Sequence, residues 1–222
     1  MEITLTIPTD YSLITLKQWL GFTNDLENYK DNEDAIFALM LHHLCGVDPN
    51  YIKGMSVKDL NDIKTELLAF IGNTELELQR FVTIGDVQYG FEPNLSQMSY
   101  GAYLDITKWD TLTIDDNWPK IMSILYRPVT QRKGKMYNIE PYTGEDRSNL
   151  FGDVTMDVHF GALFFLLSLS KDLLKDTLKS MKVEELHPSI KRILAKSGKD
   201  IPHLLNLQKG MLHELMQSLG NL

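Results

Sequence analysis

Two short clusters of side chains contain the residue types that metal binding or acid–base catalysis requires. The first is His42, His43 and Cys45. Residues three apart share a helix face, so His42 and Cys45 could ligate one ion. The neighbouring residues supply no third ligand, whereas structural metal sites normally present three or four. The sequence therefore predicts no metal site, and we interpret Cys45 as a small buried hydrophobic residue.

The second cluster is Asp153, Asp157 and His159. Two carboxylates one helical turn apart beside a histidine could exchange protons or hold a metal. The same residues also fit the start of a helix, where Asp153 would be the cap and Asp157 would complement the helix dipole. His159 begins an apolar stretch, which favours a buried structural histidine over a catalytic one.

A third group of residues is basic: Arg127, Arg132, Lys133 and Lys135. Such a group could contact phosphate, but single-strand nucleic-acid platforms interleave basic residues with several aromatic rings. Only Tyr126 and Tyr137 are close in this sequence. We interpret the group as a solvated loop or as a contact to an acidic protein neighbour.

The common nucleotide-binding and hydrolase motifs are missing from the chain. There is no Walker loop, GxGxxG, GxSxG or HExxH pattern. Together with the two clusters above, this predicts a protein that is not an enzyme and that needs no cofactor.

The amino-acid composition further restricts the class of protein. The chain has 222 residues, 22 basic and 30 acidic side chains and a single cysteine. A net charge of −8 argues against a sequence-specific nucleic-acid binder. One cysteine excludes an internal disulfide framework. The first residues, MEITLTIPTDY, are unlike a signal peptide, and the longest apolar run is far too short to span a membrane. We expect a soluble protein of the intracellular type.

The first third of the chain reads as one strand followed by helices. Residues 2–7 alternate polar and apolar side chains, which is typical of a half-buried strand. Apolar residues at helical spacing then predict helices over 15–26, from Asn32 to Gly46, from Asp48 to 52, and over 57–71.

The middle third changes to the period of strands. Residues 78–84 and 87–91 flank Gly85-Asp86, which predicts a tight hairpin with the N-terminal strand as its third partner. Short helices are expected over 99–106 and 118–126, with Pro128 as the stop signal. A polar connection over 129–151 with a possible strand at 136–139 follows, and its length marks it as functional or mobile.

The last third begins with a long helix over 154–181, capped by Asp153. The sequence predicts a mainly α fold of the α+β type with a small antiparallel sheet. Residues 1–186 would form the domain and residues 187–222 a C-terminal helical arm.

The predicted arm contains the second set of candidate partner-contacting residues. Its apolar positions follow helical spacing, and the positions proposed for a partner contact are Leu212, Leu215, Met216 and Leu219. The arm could pack on its own domain or on a neighbouring subunit, since methionine adapts to irregular grooves. Residues 1–80 carry a balance of −7 and residues 151–222 a balance of +1, which suits head-to-tail contacts between copies.

Several short stretches resemble small proteins encoded among the structural genes of tailed bacteriophages, especially crAss-like phages. These stretches are IPTDY (7–11), LCGV (44–47), IKGMSVKD (52–59), YGFEPNL (89–95), Met98, YGAYLD (100–105), LYRP (125–128) and FGALFF (160–165). The resemblance covers most of residues 1–170.

The resemblance implies a non-enzymatic virion protein that is made in the host bacterial cytoplasm. The favoured role is that of a subunit in a ring or collar at the portal–tail junction. Its partners would be portal, tail or neighbouring ring subunits, and the chain would form homo-oligomers. A packaged capsid cargo protein and a tail-assembly chaperone absent from the mature virion remain alternatives. No catalytic residue carries over from this family.

Overall fold

The computed structural model describes residues 5–26, 28–29, 32–71, 76–108 and 114–180. Within these ranges the fold is mainly helical with one small antiparallel sheet, which confirms the predicted fold class. The helices are α1 (Leu16–Leu26), α2 (Glu33–Cys45), α3 (Pro49–Ile52), α4 (Val57–Ile71), α5 (Tyr100–Thr107), α6 (Trp118–Leu125) and α7 (Met156–Ser180). The strands are β1 (Phe81–Ile84), β2 (Val87–Phe91), β3 (Tyr126–Lys133) and β4 (Met136–Ile139). The predicted C-terminal arm and its domain boundary lie outside the described residues.

Local signals explain where the first helices begin and end. The Asn32 side chain accepts a hydrogen bond from the backbone N–H of Ala35 at 3.0 Å and caps α2. Gly46 ends α2 at φ +70°, a left-handed conformation that glycine adopts without strain. Ser56 Oγ accepts from the Asp59 N–H at 3.1 Å and caps α4, whose predicted bounds are confirmed.

The sheet consists of two hairpins side by side, in the order β1-β2-β3-β4. Gly85 and Gly134 turn the hairpins at φ +59° and +63°, respectively. The predicted β1–β2 hairpin and the strand at 136–139 are therefore both confirmed. Gly90 lets the hairpins pack closely, because a Cβ there would lie 2.9 Å from the Tyr137 ring. The Tyr137 hydroxyl donates to the Phe91 carbonyl at 2.6 Å.

Two expectations about this sheet are wrong. Residues 5–9 are not in a strand: Leu5 and Ile7 pack irregularly against the core, and β3 occupies the place beside β2. The helix expected over 118–126 ends at Leu125, and β3 begins at Tyr126. Much of the polar connection expected over 129–151 therefore belongs to β3 and β4. Pro128 is compatible with β3 because proline lacks only the backbone N–H. Its carbonyl still accepts a hydrogen bond from the Glu140 N–H at 2.9 Å.

The first half of α7 joins the helices to the sheet. Phe160 packs edge-on against Tyr11 and Trp19, with ring centroids 4.9 and 5.2 Å apart. Five residues further on, Phe165 packs against Phe91 of β2, with ring centroids 5.6 Å apart. Such aromatic pairs stabilise a core by about 0.5–1.5 kcal/mol each beyond their buried area.

The segment before β1 lies directly on α7. A Cβ at Gly161 would collide with the carbonyl oxygen of Glu77 and lie 3.1 Å from its carbonyl carbon. Because both are backbone atoms, no side-chain rotation can relieve the collision. Glycine is therefore required at this crossing, and it fixes how β1 enters the sheet.

The expected start of α7 is also corrected. Helix α7 begins at Met156, and Asp153 ends the preceding 3₁₀ turn (Ser148–Asp153) instead of capping the helix. Two strand-like hydrogen bonds tie this start to the start of α1: Leu16 N donates to the Val154 carbonyl at 3.0 Å, and Met156 N donates to the Ile14 carbonyl at 2.8 Å. These bonds satisfy backbone groups that helix ends otherwise leave unpaired.

Candidate interaction surfaces

The histidine and cysteine residues of α2 have structural partners. His42 Nδ1 donates to the Val47 carbonyl at 3.0 Å, and His43 Nε2 donates to the Asp25 carboxylate at 2.8 Å. Cys45 is partly buried, and burial raises the pKa of its thiol to about 11, so it is a thiol at neutral pH. Across the described part of the chain, no three acidic, histidine or cysteine side chains are arranged to hold a metal ion.

The Asp153, Asp157 and His159 side chains separate into three different environments. Asp153 is exposed and pairs with Lys17 at 2.8 Å. Asp157 accepts a hydrogen bond from Gln79, which holds the segment before β1. His159 is fully buried.

His159 is a neutral hydrogen-bond bridge in the core. Its Nδ1 accepts from Trp118 Nε1 at 3.1 Å, and its Nε2 donates to the Phe151 carbonyl at 3.1 Å. Burial lowers the pKa of His159 to about 4, because desolvation disfavours the imidazolium. The bridge connects α6, α7 and the 3₁₀ turn between them.

Arg127 is separated from the other members of the basic cluster. Its guanidinium forms an ion pair with Glu92, and both side chains are about nine-tenths buried. Arg127 Nε is buried without a hydrogen-bond partner. The proposed surface residue Arg127 is thus corrected to a buried structural residue, because β3 enters the sheet at Tyr126 and carries Arg127 into it.

The remaining three basic residues lie at the exposed end of the β3–β4 hairpin, and we call residues 132–136 the hairpin tip. Arg132 lies over the Phe81 ring, with Cζ 4.0 Å from its centroid, and donates to the Gln88 side chain at 3.1 Å. Lys133 and Lys135 are exposed, and no carboxylate of the described residues pairs with either.

An apolar side chain lies next to these two lysines. Met136 is 73% exposed and lies directly opposite Lys133 in the β3–β4 ladder. A large apolar residue that is mostly exposed beside two like charges contributes little to the core. The sequence analysis placed a strand here but overlooked Met136, although its position two residues after the Gly134 turn was a usable signal.

An open groove lies between the N-terminal segment, α3 and the start of α4, and we call it the α3–α4 groove. It has a volume of about 570 Å³. Its floor consists of the partly or fully buried apolar side chains Leu5, Val47 and Met55. The exposed Tyr51 and Asp59 lie at its rim.

The rim of this groove continues along α4 as an acidic stripe. Asp59, Asp62 and Glu66 are exposed and share one face of the helix, at spacings of three and four residues. Within the described residues, no lysine or arginine forms an ion pair with any of the three.

Helix α5 presents a second apolar surface, which the sequence analysis also missed. Tyr100, Tyr103 and Leu104 share one face, and Tyr100 is 74% exposed. The helix itself was expected, and the spacing of these residues was the signal for a common face. The side chain it buries fully is Ala102, so the aromatic stripe is available to a partner.

The comparisons with known proteins identify no relative. No family model, no curated protein and no solved structure matches the chain. Among the described helices, none combines the length and apolar character needed to cross a membrane. The partner residues proposed in the arm, Leu212, Leu215, Met216 and Leu219, lie outside the described residues.

Proposed function

We propose that this chain is a non-enzymatic structural protein of a tailed bacteriophage, a subunit of a ring or collar at the portal–tail junction. Its partners would be further copies of itself and adjacent portal or tail proteins. The resemblance of its short motifs to phage structural proteins suggests the system in which it works. The surfaces described above support a role in protein–protein contacts.

The hairpin tip is the observation that carries the proposal. It combines an exposed methionine with two lysines that pair with no carboxylate of the described residues, on a turn at the end of the sheet. Protein interfaces combine apolar contacts with a polar, charged rim, and the α5 stripe supplies another apolar surface of aromatic residues. Two separate surfaces of this kind suit a subunit that contacts neighbours on more than one side.

The ionisable side chains support the same interpretation. His159 is held neutral between two partners, and Arg127 pairs with Glu92 inside the sheet. Both groups stabilise the fold, and the His159 and Arg127 side chains are buried. A structural role accounts for every one of these contacts.

Mass spectrometry of particles purified from the phage that encodes the chain tests this function. A ring subunit is expected at a fixed ratio to the portal protein across independent preparations, with the major capsid protein as the internal standard. A variable ratio, with loss of the chain when capsids are opened, would instead indicate packaged cargo. Absence from particles, with abundance in infected cells, would contradict the virion role and indicate an assembly chaperone.

A further inference from the structure

The hairpin tip and the α3–α4 groove are complementary in shape. The tip projects, with Met136 as its exposed apolar group, whereas the groove is concave and has an apolar floor. Its volume of about 570 Å³ lies within the range of sites that enclose small molecules, so it has room for a methionine side chain and part of a turn. Methionine suits such a groove because its unbranched chain adapts to irregular walls.

The two surfaces are also complementary in charge. Lys133 lies opposite the methionine in the β3–β4 ladder, and Lys135 precedes it in the chain. Asp59 stands at the groove rim and Asp62 follows it on the same face of α4. Side chains at this helical spacing lie about 5–6 Å apart. Lys133 and Lys135 are separated along the hairpin only by Gly134, so their long side chains can span a comparable distance. Each lysine can therefore face one carboxylate.

We propose that the hairpin tip of one copy docks into the α3–α4 groove of a second copy of this chain. Met136 inserts between the apolar side chains of the groove floor. Lys133 and Lys135 form ion pairs with Asp59 and Asp62 at its rim.

This contact joins two different surfaces of the same protein. A contact of that kind is heterologous, so it leaves one free tip and one free groove at the ends of any open chain of copies. Such a chain closes into a ring when the rotation between copies permits it. The inference rests on the proposed function, and it names the surfaces through which neighbouring ring subunits bind.

Reciprocal charge reversal on the full chain tests the contact. The hairpin variant carries Lys133→Glu and Lys135→Glu, and the groove variant carries Asp59→Lys and Asp62→Lys. Light scattering over a concentration series is expected to show oligomers for the wild-type chain. Each variant alone places like charges opposite each other, so its dissociation constant should rise by roughly a hundred-fold. It should then elute as the 25.5 kDa monomer.

An equimolar mixture of the two variants is the decisive sample. In an alternating assembly, reversed tips meet reversed grooves and wild-type tips meet wild-type grooves. Every contact then pairs opposite charges, so the mixture should assemble although neither component does. A control with Lys17→Glu and Lys108→Glu has the same change in net charge as the hairpin variant, at two exposed lysines outside both surfaces. It should assemble like the wild-type chain.

Folding is checked by circular dichroism and thermal melting of each variant. Asp59 lies in the first turn of α4, so the groove variant can lose some stability. Met136→Asp provides an independent test, because this side chain is exposed and should weaken assembly without changing the melting temperature. A monomeric wild-type chain, or assembly that both variants retain, would overturn the contact. The ring role would still be judged separately, by the presence of the chain in particles.

Discussion

The buried His159 bridge makes a quantitative prediction about stability and pH. The imidazole has a pKa of about 4 in the folded chain against 6.5 when solvated, so the unfolded chain binds a proton first as the pH falls. Stability should be unaffected by this group above pH 6.5 and should decline between the two pKa values. Their difference corresponds to a loss of about 3 kcal/mol once the pH approaches the lower value.

Urea unfolding at a series of pH values measures this loss against a matched variant. His159→Gln keeps one acceptor for Trp118 and one donor for the Phe151 carbonyl, but it does not titrate. Carboxylates titrate in both proteins and cancel in the difference. The wild-type chain should lose about 2–3 kcal/mol more than the variant between neutral pH and pH 4.5.

Parallel stability curves for the two proteins would refute this account of His159. Histidine NMR gives an independent result without any substitution. The ring of His159 should stay in the neutral form with the proton on Nε2 until the pH falls below about 5. A titration near its solvated pKa would show that the bridge is not buried as described.

Two further changes test the packing around the sheet by thermal and urea unfolding. Gly161→Ala should lower stability by about 1–2 kcal/mol, or roughly 2–8 °C in Tm, because overpacking against backbone exceeds the helix-propensity gain. Gly101→Ala should instead be neutral or raise stability by up to about 1 kcal/mol, since its Cβ would lie 3.7 Å from a ring. Equal effects at the two glycines would contradict the close crossing. Arg127→Met should cost about 3–5 kcal/mol by leaving Glu92 buried without its cation, and adding Glu92→Leu should recover most of that loss. A single variant as stable as the wild-type chain would contradict the buried ion pair.

Local signals were sufficient to predict much of the fold. The caps at Asn32 and Ser56, the glycine at position 46 and the Gly85 turn each act within a few residues. Their structural effect is therefore visible in a short stretch of sequence. The bounds of α4 and β4 followed from such signals.

Long-range packing determined those parts of the fold that local sequence signals could not predict. Pro128 was interpreted as the stop signal of a helix. In the structure it lies in β3, where it pairs with Tyr89 of β2 and its carbonyl accepts a hydrogen bond from the Glu140 N–H. Residues 5–7 alternate like a strand, yet the position that they would need beside β2 is filled by a segment 120 residues away.

The candidate surfaces were predicted only in part for the same reason. Lys133 and Lys135 could be identified from their type alone, because charged residues on a turn are exposed. Arg127 has the same charge but is buried, since its strand passes into the sheet. Met136 and the α5 stripe are apolar residues that the fold leaves outside, and sequence patterns assign such residues to the core.

Imaging of intact purified particles by electron cryo-microscopy tests the central proposal most directly. We expect closed-ring density at the portal–tail junction into which the described fold fits. In that density the hairpin tip of each copy should lie in the α3–α4 groove of the next. Finding the chain only inside the capsid, or finding no density for it in particles, would contradict the proposed ring role.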